Sequence, residues 1–133
     1  MRKPISPLPY DERLSEHTLK EVLDAWLRNG GWSTQVAWHK ARGIDIDARR
    51  NTEHWIIEVK GMGTRNAMRV NYFLAILGET LQRMSDPEVK YSIALPDLPQ
   101  FRGLRDRLPS LAKKRTQISA LFVDTDRKVH VEA

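Results

Sequence analysis

"HWIIEVKG", residues 54–61, is the stretch on which the reading of the chain turns. Ile56, Ile57 and Val59 belong to a sheet interior, Glu58 and Lys60 interrupt them, and Gly61 ends the run. Side chains at i and i+2 of a strand share a face and lie about 6.5–7 Å apart. Glu58 and Lys60 therefore point one way, and Ile57 and Val59 the other. Upstream, "GIDIDA" (43–48) alternates in the same manner, with Asp45 and Asp47 opposite Ile44, Ile46 and Ala48. The polar "RRNTE" between the two runs predicts a hairpin, which would make the strands neighbours. Two readings are open at this point. Apolar-in, charged-out alternation is the pattern of a half-exposed antiparallel sheet. However, strand 54–60 lies between helical segments, which would cover the sheet on both faces. Buried Asp, Glu and Lys cost several kcal/mol each unless paired or metal-bound.

The rest of the chain supplies that frame. A helix reads from about Asp11 to Arg28, with Leu19, Val22, Leu23, Trp26 and Leu27 at three- and four-residue spacing and Asn29-Gly30-Gly31 as its stop. "WSTQVAWHK" (32–40) is rich in β-formers and predicts the first strand. After Gly61 and Gly63 comes a helix from about Asn66 to Met84, with Phe73, Leu74, Ile76, Leu77, Leu81 and Met84 as its apolar side. "VKYSIAL" (89–95) is a strand, and "QFRGLRDRLPSLAKKR" (100–115) is helical, with Pro109 breaking or restarting it. "ISALFVD" (118–124) and "KVHVE" (128–132) are two closing strands. Three prolines in "KPISPLP" (3–9) make residues 1–10 an extended arm before one domain over 11–133. The order is α-β-β-β-α-β followed by α-β-β, an α/β arrangement.

Composition narrows the function classes. The 133 residues carry 22 Lys and Arg against 17 Asp and Glu, a formal charge of +5, which favours anionic partners, nucleic acid foremost. There is no cysteine, and so no disulfide or thiolate metal site. No apolar run is long enough for a membrane span, and the first residues do not resemble a secretory signal, so a cytoplasmic protein is expected. Neither phosphate-loop nor dinucleotide glycine motifs occur, which argues against a nucleotide cofactor. His17, His39, His54 and His130 show no metal-ligand spacing.

An Asp and a Glu on adjacent strands have definite chemistry available. Hard cations such as Mg²⁺, with Mn²⁺ as a substitute, take carboxylate oxygens, and the carbonyl of Val59 offers a third protein ligand. Such an ion lowers the pKa of a bound water and offsets charge on a phosphate. A lysine two residues after the Glu lies beside that water.

These residues resemble the PD-(D/E)xK nuclease superfamily, which includes many restriction endonucleases and Holliday-junction resolvases. The family pattern is a helix bearing a Glu, a strand carrying Asp and a strand ending in (D/E)-x-K. The matching parts here are "SEHTLKEVL", "GIDIDA" and "WIIEVKG", within an α-β-β-β-α-β order over residues 11–95. The proline of the family name is absent, since Gly43-Ile44 precedes Asp45. The resemblance implies a restriction endonuclease-like core, a central mixed sheet flanked by helices, and a Mg²⁺-dependent DNA endonuclease. Carried over, Asp45 is the central metal ligand, Glu58 the second carboxylate, Lys60 the catalytic lysine and Glu16 the helix acid. Asp47 is the rival to Asp45. The family often brings a basic or amide side chain from the next helix, for which Arg65, Arg69 and Gln82 are the candidates. Lys113, Lys114 and Arg115 form a basic run suited to a phosphate backbone. The small chain implies a homodimer or a place in a larger complex. The alternative is a nuclease fold kept as a nucleic-acid- or protein-binding module without cleavage.

Overall fold

The computed structural model describes residues 10–39 and 43–133; most of the expected N-terminal arm lies outside them. A single 3-10 turn (Glu12–Leu14) leads into α1 (Glu16–Asn29), followed by β1 (Ser33–Val36), β2 (Ile46–Arg50) and β3 (Glu53–Val59). Helix α2 (Asn66–Arg83), β4 (Lys90–Pro96), α3 (Pro99–Asp106), α4 (Ser110–Thr116), β5 (Ser119–Val123) and β6 (Val129–Glu132) complete the order. The six strands form one sheet in sequence order, β1-β2-β3-β4-β5-β6. The β3–β4 and β4–β5 pairs are parallel and the other three antiparallel. This is the α/β class with a central mixed sheet that the sequence implied.

Local chemistry explains most boundaries. Ser15 caps α1, its Oγ accepting the Thr18 N–H at 3.1 Å, as an N-cap serine should. The β2–β3 hairpin turns through Asn51-Thr52, with Asn51 at φ 54°, a left-handed position that Asn tolerates. Pro109 divides the 100–115 segment into two helices, as its missing N–H requires. The first strand is shorter than expected, ending at Val36, and β2 begins only at Ile46. Asp45 thus sits just ahead of its strand, where its carbonyl accepts the Ala37 N–H at 2.8 Å.

The sheet is covered on both faces, which removes the half-exposed reading of β3. On one face Leu19, Leu23 and Leu27 of α1 pack on Ile46, Ala48, Trp55, Ile57 and Val59. On the other, Ile76 of α2 and Phe101 of α3 pack on Ile93, Leu95, Ala120 and Phe122. Glu58 pairs across the β3–β4 ladder with Ile93 and shares its face, beneath α2. One expectation for α2 is corrected: Leu74 and Leu81 are 63% and 51% exposed. They fall outside the narrower stripe, Arg69, Phe73, Ile76 and Thr80, that the helix buries.

Candidate metal centre

Parallel strands gather side chains at their carboxyl ends, and β3 ends with Glu58, Val59 and Lys60. Glu58 is 1% exposed. Its Oε2 accepts the Asp45 N–H at 3.3 Å, and the Val59 N–H donates to Asp45 Oδ2 at 2.8 Å. These two bonds fasten Asp45 to the strand that carries Glu58. A third carboxylate, Glu79, reaches down from α2. Oxygen atoms of Asp45, Glu58 and Glu79 all lie within 4.8 Å of one another.

Each of these acids has a cation of its own. Lys20 Nζ stands 3.5 Å from Asp45 Oδ1, Arg83 Nε donates to Glu58 Oε1 at 2.8 Å, and Lys60 Nζ lies 3.4 Å from Glu79 Oε1. Lys20 is 2% exposed and also donates to the Ala37 carbonyl at 2.7 Å, so its charge is compensated on two sides. Burial pushes the Glu58 carboxyl up from 4.5 to about 7; the adjacent Asp45 adds to the rise and Arg83 opposes it. The Arg83 guanidinium is in turn held more firmly protonated, first by its hydrogen bond to Glu58.

Gly61 holds this arrangement against α1. A Cβ there would stand 2.4 Å from the Glu16 backbone nitrogen, inside any tolerable contact. The Met62 N–H donates to the Leu14 carbonyl at 3.0 Å beside it. The end of β3 and the start of α1 are therefore in direct backbone contact, which brings Glu16 and Lys20 to the site.

The structure brings together Asp45, Glu58 and Lys60, and it sets Val59 between them with its N–H on Asp45. Glu16 is placed one step back: its Oε2 lies 3.3 Å from Lys20 Nζ, so it reaches Asp45 through the lysine. Asp47 is directed elsewhere, with its Oδ1 2.8 Å from His54 Nε2. Arg65 stands exposed at the N-cap of α2, which has no side-chain cap. Arg69 is buried and donates to the Met62 carbonyl at 3.0 Å, which makes it part of the loop's support. Gln82 is exposed on the outer side of α2. Lys113, Lys114 and Arg115 lie on α4. Arg115 borders a depression lined by residues 84–91, at the amino end of β4 and away from the carboxylates.

Three residues of the centre were not anticipated: Lys20, Glu79 and Arg83. Their spacing did carry a signal. Lys20 falls on the 16-20-23-27 stripe of α1, and Glu79 and Arg83 follow Ile76 by three and seven residues on α2. Charged residues at positions meant for a core face are the trace such a site leaves. A second grouping, Asp97, Asp124 and His130, is closed by Arg102, whose Nε donates to Asp97 at 2.6 Å.

No protein-family model matches the chain, and no curated protein matches it at a significant level. Solved structures do. An XisH family protein from Nostoc punctiforme PCC 73102 superposes with a TM-score of 0.55 at 18% identity, covering 84% of this chain and 95% of that one. An fdxN element excision controlling factor protein from Anabaena variabilis superposes with a TM-score of 0.55 at 17% identity over the same shares of both chains. At this identity the likeness shows a common fold. Among the described residues no helix is long and apolar enough to cross a membrane.

Proposed function

We propose that the protein is a metal-dependent nuclease that hydrolyses phosphodiester bonds in DNA. The observation that supports this reading is the convergence of Asp45, Glu58 and Glu79 within 4.8 Å at the end of β3, with Lys60 at its rim. The donor set fits a hard divalent cation. All three donors are carboxylate oxygens, and oxygens on opposite sides of an ion bound at about 2.1 Å stand roughly 4.2 Å apart. Adjacent oxygens on such an ion stand roughly 3.0 Å apart, so the three carboxylates would close in around it. Glu58, lifted to about 7 mainly by burial, is a carboxylate whose ionised form a divalent charge would stabilise.

Asp45, Glu58 and Glu79 would hold the ion, with the Val59 carbonyl as a further candidate. When bound, it would lower the pKa of a water and offset charge building on the phosphate. The chain's own groups perform the remaining work. Val59 N–H and Lys20 grip the two oxygens of Asp45, so that carboxylate keeps one orientation. Lys60 presents its ammonium at the edge of the cluster, where it orients the attacking water and stabilises the phosphate oxygens. Arg83 keeps Glu58 turned into the site. Preorganised charge of this kind is the main contribution a protein makes to phosphoryl transfer. The name of one structural neighbour, an fdxN element excision controlling factor, is in keeping with a DNA-rearrangement context.

A second reading is favoured by one observation: Lys60 is engaged by Glu79 at 3.4 Å. A closed set of ion pairs suits a nuclease fold retained for binding alone. One assay separates the two. The protein is incubated with plasmid, branched and single-stranded DNA in Mg²⁺ or Mn²⁺, beside Asp45→Ala and Lys60→Ala. Cleavage by the parent and its loss in both variants is the expected result. Cleavage that persists in both variants overturns the assigned centre. Binding without cleavage of any substrate supports the second reading.

A further inference from the structure

Two depressions flank the centre and join at Tyr10, Ser15 and Glu16. One, of about 290 Å³, runs past Lys60, Gly61 and Gly63 to Tyr72. The other, of about 450 Å³, runs past Lys20 to His17 and His39. Together they make a trough lined by Lys60 and Lys20, the partners of Glu79 and Asp45, and its walls carry several rings. Tyr10 is 46% exposed and Trp38, at the far rim, 37%. The His17 ring stacks on His39 at 5.6 Å between centroids and leans on Trp38 at 5.4 Å. At the other end the Tyr72 ring lies 3.0 Å from where a Cβ on Gly63 would be, so the missing side chain gives that ring its seat.

Among its described residues the trough carries little free positive charge. Its lysines are already committed, Lys20 to Glu16 and Asp45 and Lys60 to Glu79, and Glu12 and Glu16 face into it. Duplex DNA presents a negative charge every ~1.7 Å of its axis and is held mainly by uncommitted Lys and Arg. Among the described residues the trough's only Lys and Arg are Lys20 and Lys60, while four rings line it and Trp38 leans on one of them. Aromatic faces take unpaired bases, each worth roughly a five- to hundredfold gain in affinity.

Resting on the nuclease reading above, we propose that this trough binds a single-stranded or locally unpaired segment of nucleic acid. Its bases stack on Tyr10, Tyr72 and the His17–His39–Trp38 group, and the backbone passes Lys60 and the carboxylates. The preferred substrate is then DNA with unpaired bases beside the scissile phosphate, such as a flap, a gap or a junction branch.

Binding is measured on the Asp45→Ala protein without divalent metal, so that the result is independent of cleavage. A fluorescently labelled oligothymidylate and a blunt duplex of equal length are compared by anisotropy. We expect the single strand to bind at least tenfold more tightly. Tyr72→Ala and Trp38→Ala should each weaken it roughly tenfold, and Tyr72→Phe, which keeps the ring, should restore affinity. Melting temperatures of the variants check that each is folded. Equal or tighter binding of the duplex overturns the proposal, as does unchanged affinity in both folded alanine variants. A parent protein that binds the single strand but cuts nothing would defeat the nuclease reading and leave this one standing. A parent that cuts duplex while ignoring single strands would do the reverse.

Discussion

Replacing Glu58 by Gln should make the metal-free protein more stable at alkaline pH while changing little in mild acid. The carboxyl has a value near 7 in the folded chain against an ordinary 4.5, chiefly because it is buried. Between those two pH values the folded state keeps a proton that the unfolded chain has lost. Stability therefore falls as pH rises through this window, by up to 1.36 kcal/mol per unit for one proton. Over the interval of about 2.5 units the loss approaches ~3 kcal/mol, a large share of a domain's usual 5–15 kcal/mol. Gln has nearly the same shape and cannot ionise, so its stability should lack this slope. Some of the gain is forfeited because Arg83 loses its charged partner, though that side chain is partly solvated. Urea unfolding at pH 5, 6, 7 and 8 in a chelator gives both curves. The difference between variant and parent should grow from near zero at pH 5 to about 2–3 kcal/mol at pH 8. Two parallel curves, or a parent that gains on the variant as pH rises, would refute the assignment of a buried, proton-holding Glu58.

Other consequences can be checked with equally simple measurements. Mg²⁺ or Mn²⁺ should raise the melting temperature at pH 8 and much less at pH 5, because the ion competes with the proton on Glu58; Asp45→Asn should abolish the rise. Gly61→Ala should destabilise by about 2–4 kcal/mol, since its Cβ would meet the Glu16 backbone nitrogen at 2.4 Å; calorimetry showing a normal protein would remove the close contact from the account. Leu23→Ala, in the core beneath α1, should cost about 2–5 kcal/mol by denaturant titration and leave the pH profile of the parent intact.

Much of the fold was legible because its elements obey simple periods. Strands β3, β4 and β5 stand out as apolar runs, and α1 and α2 as repeats broken by Gly or Pro. The pairing of Asp45 with Glu58 could be read from the hairpin between them. What could not be read is which charged helix residues turn inward. Glu16 was the natural choice on α1, yet Lys20 is the side chain that reaches Asp45, because the Gly61 contact sets how far α1 slides along β3. That contact joins residues far apart in sequence and leaves only a glycine as its mark. Glu79 and Arg83 escaped for a related reason: Leu74 and Leu81 suggested a broader apolar face than α2 buries, which hid the helix's true orientation.

The β2–β3 hairpin also bears on how the molecule comes together. Asp45 and Glu58 are 13 residues apart in the chain, and a two-residue turn joins their strands. Closing so short a loop is cheap in entropy and fast. The parallel β3–β4 pair, by contrast, must wait for the whole of α2 to cross over the sheet. Two carboxylates of the centre thus meet in an early, local event, and Glu79 and Arg83 join them only as α2 docks. Refolding followed by hydrogen exchange should show the β2–β3 amides protected ahead of those in β4 and β5.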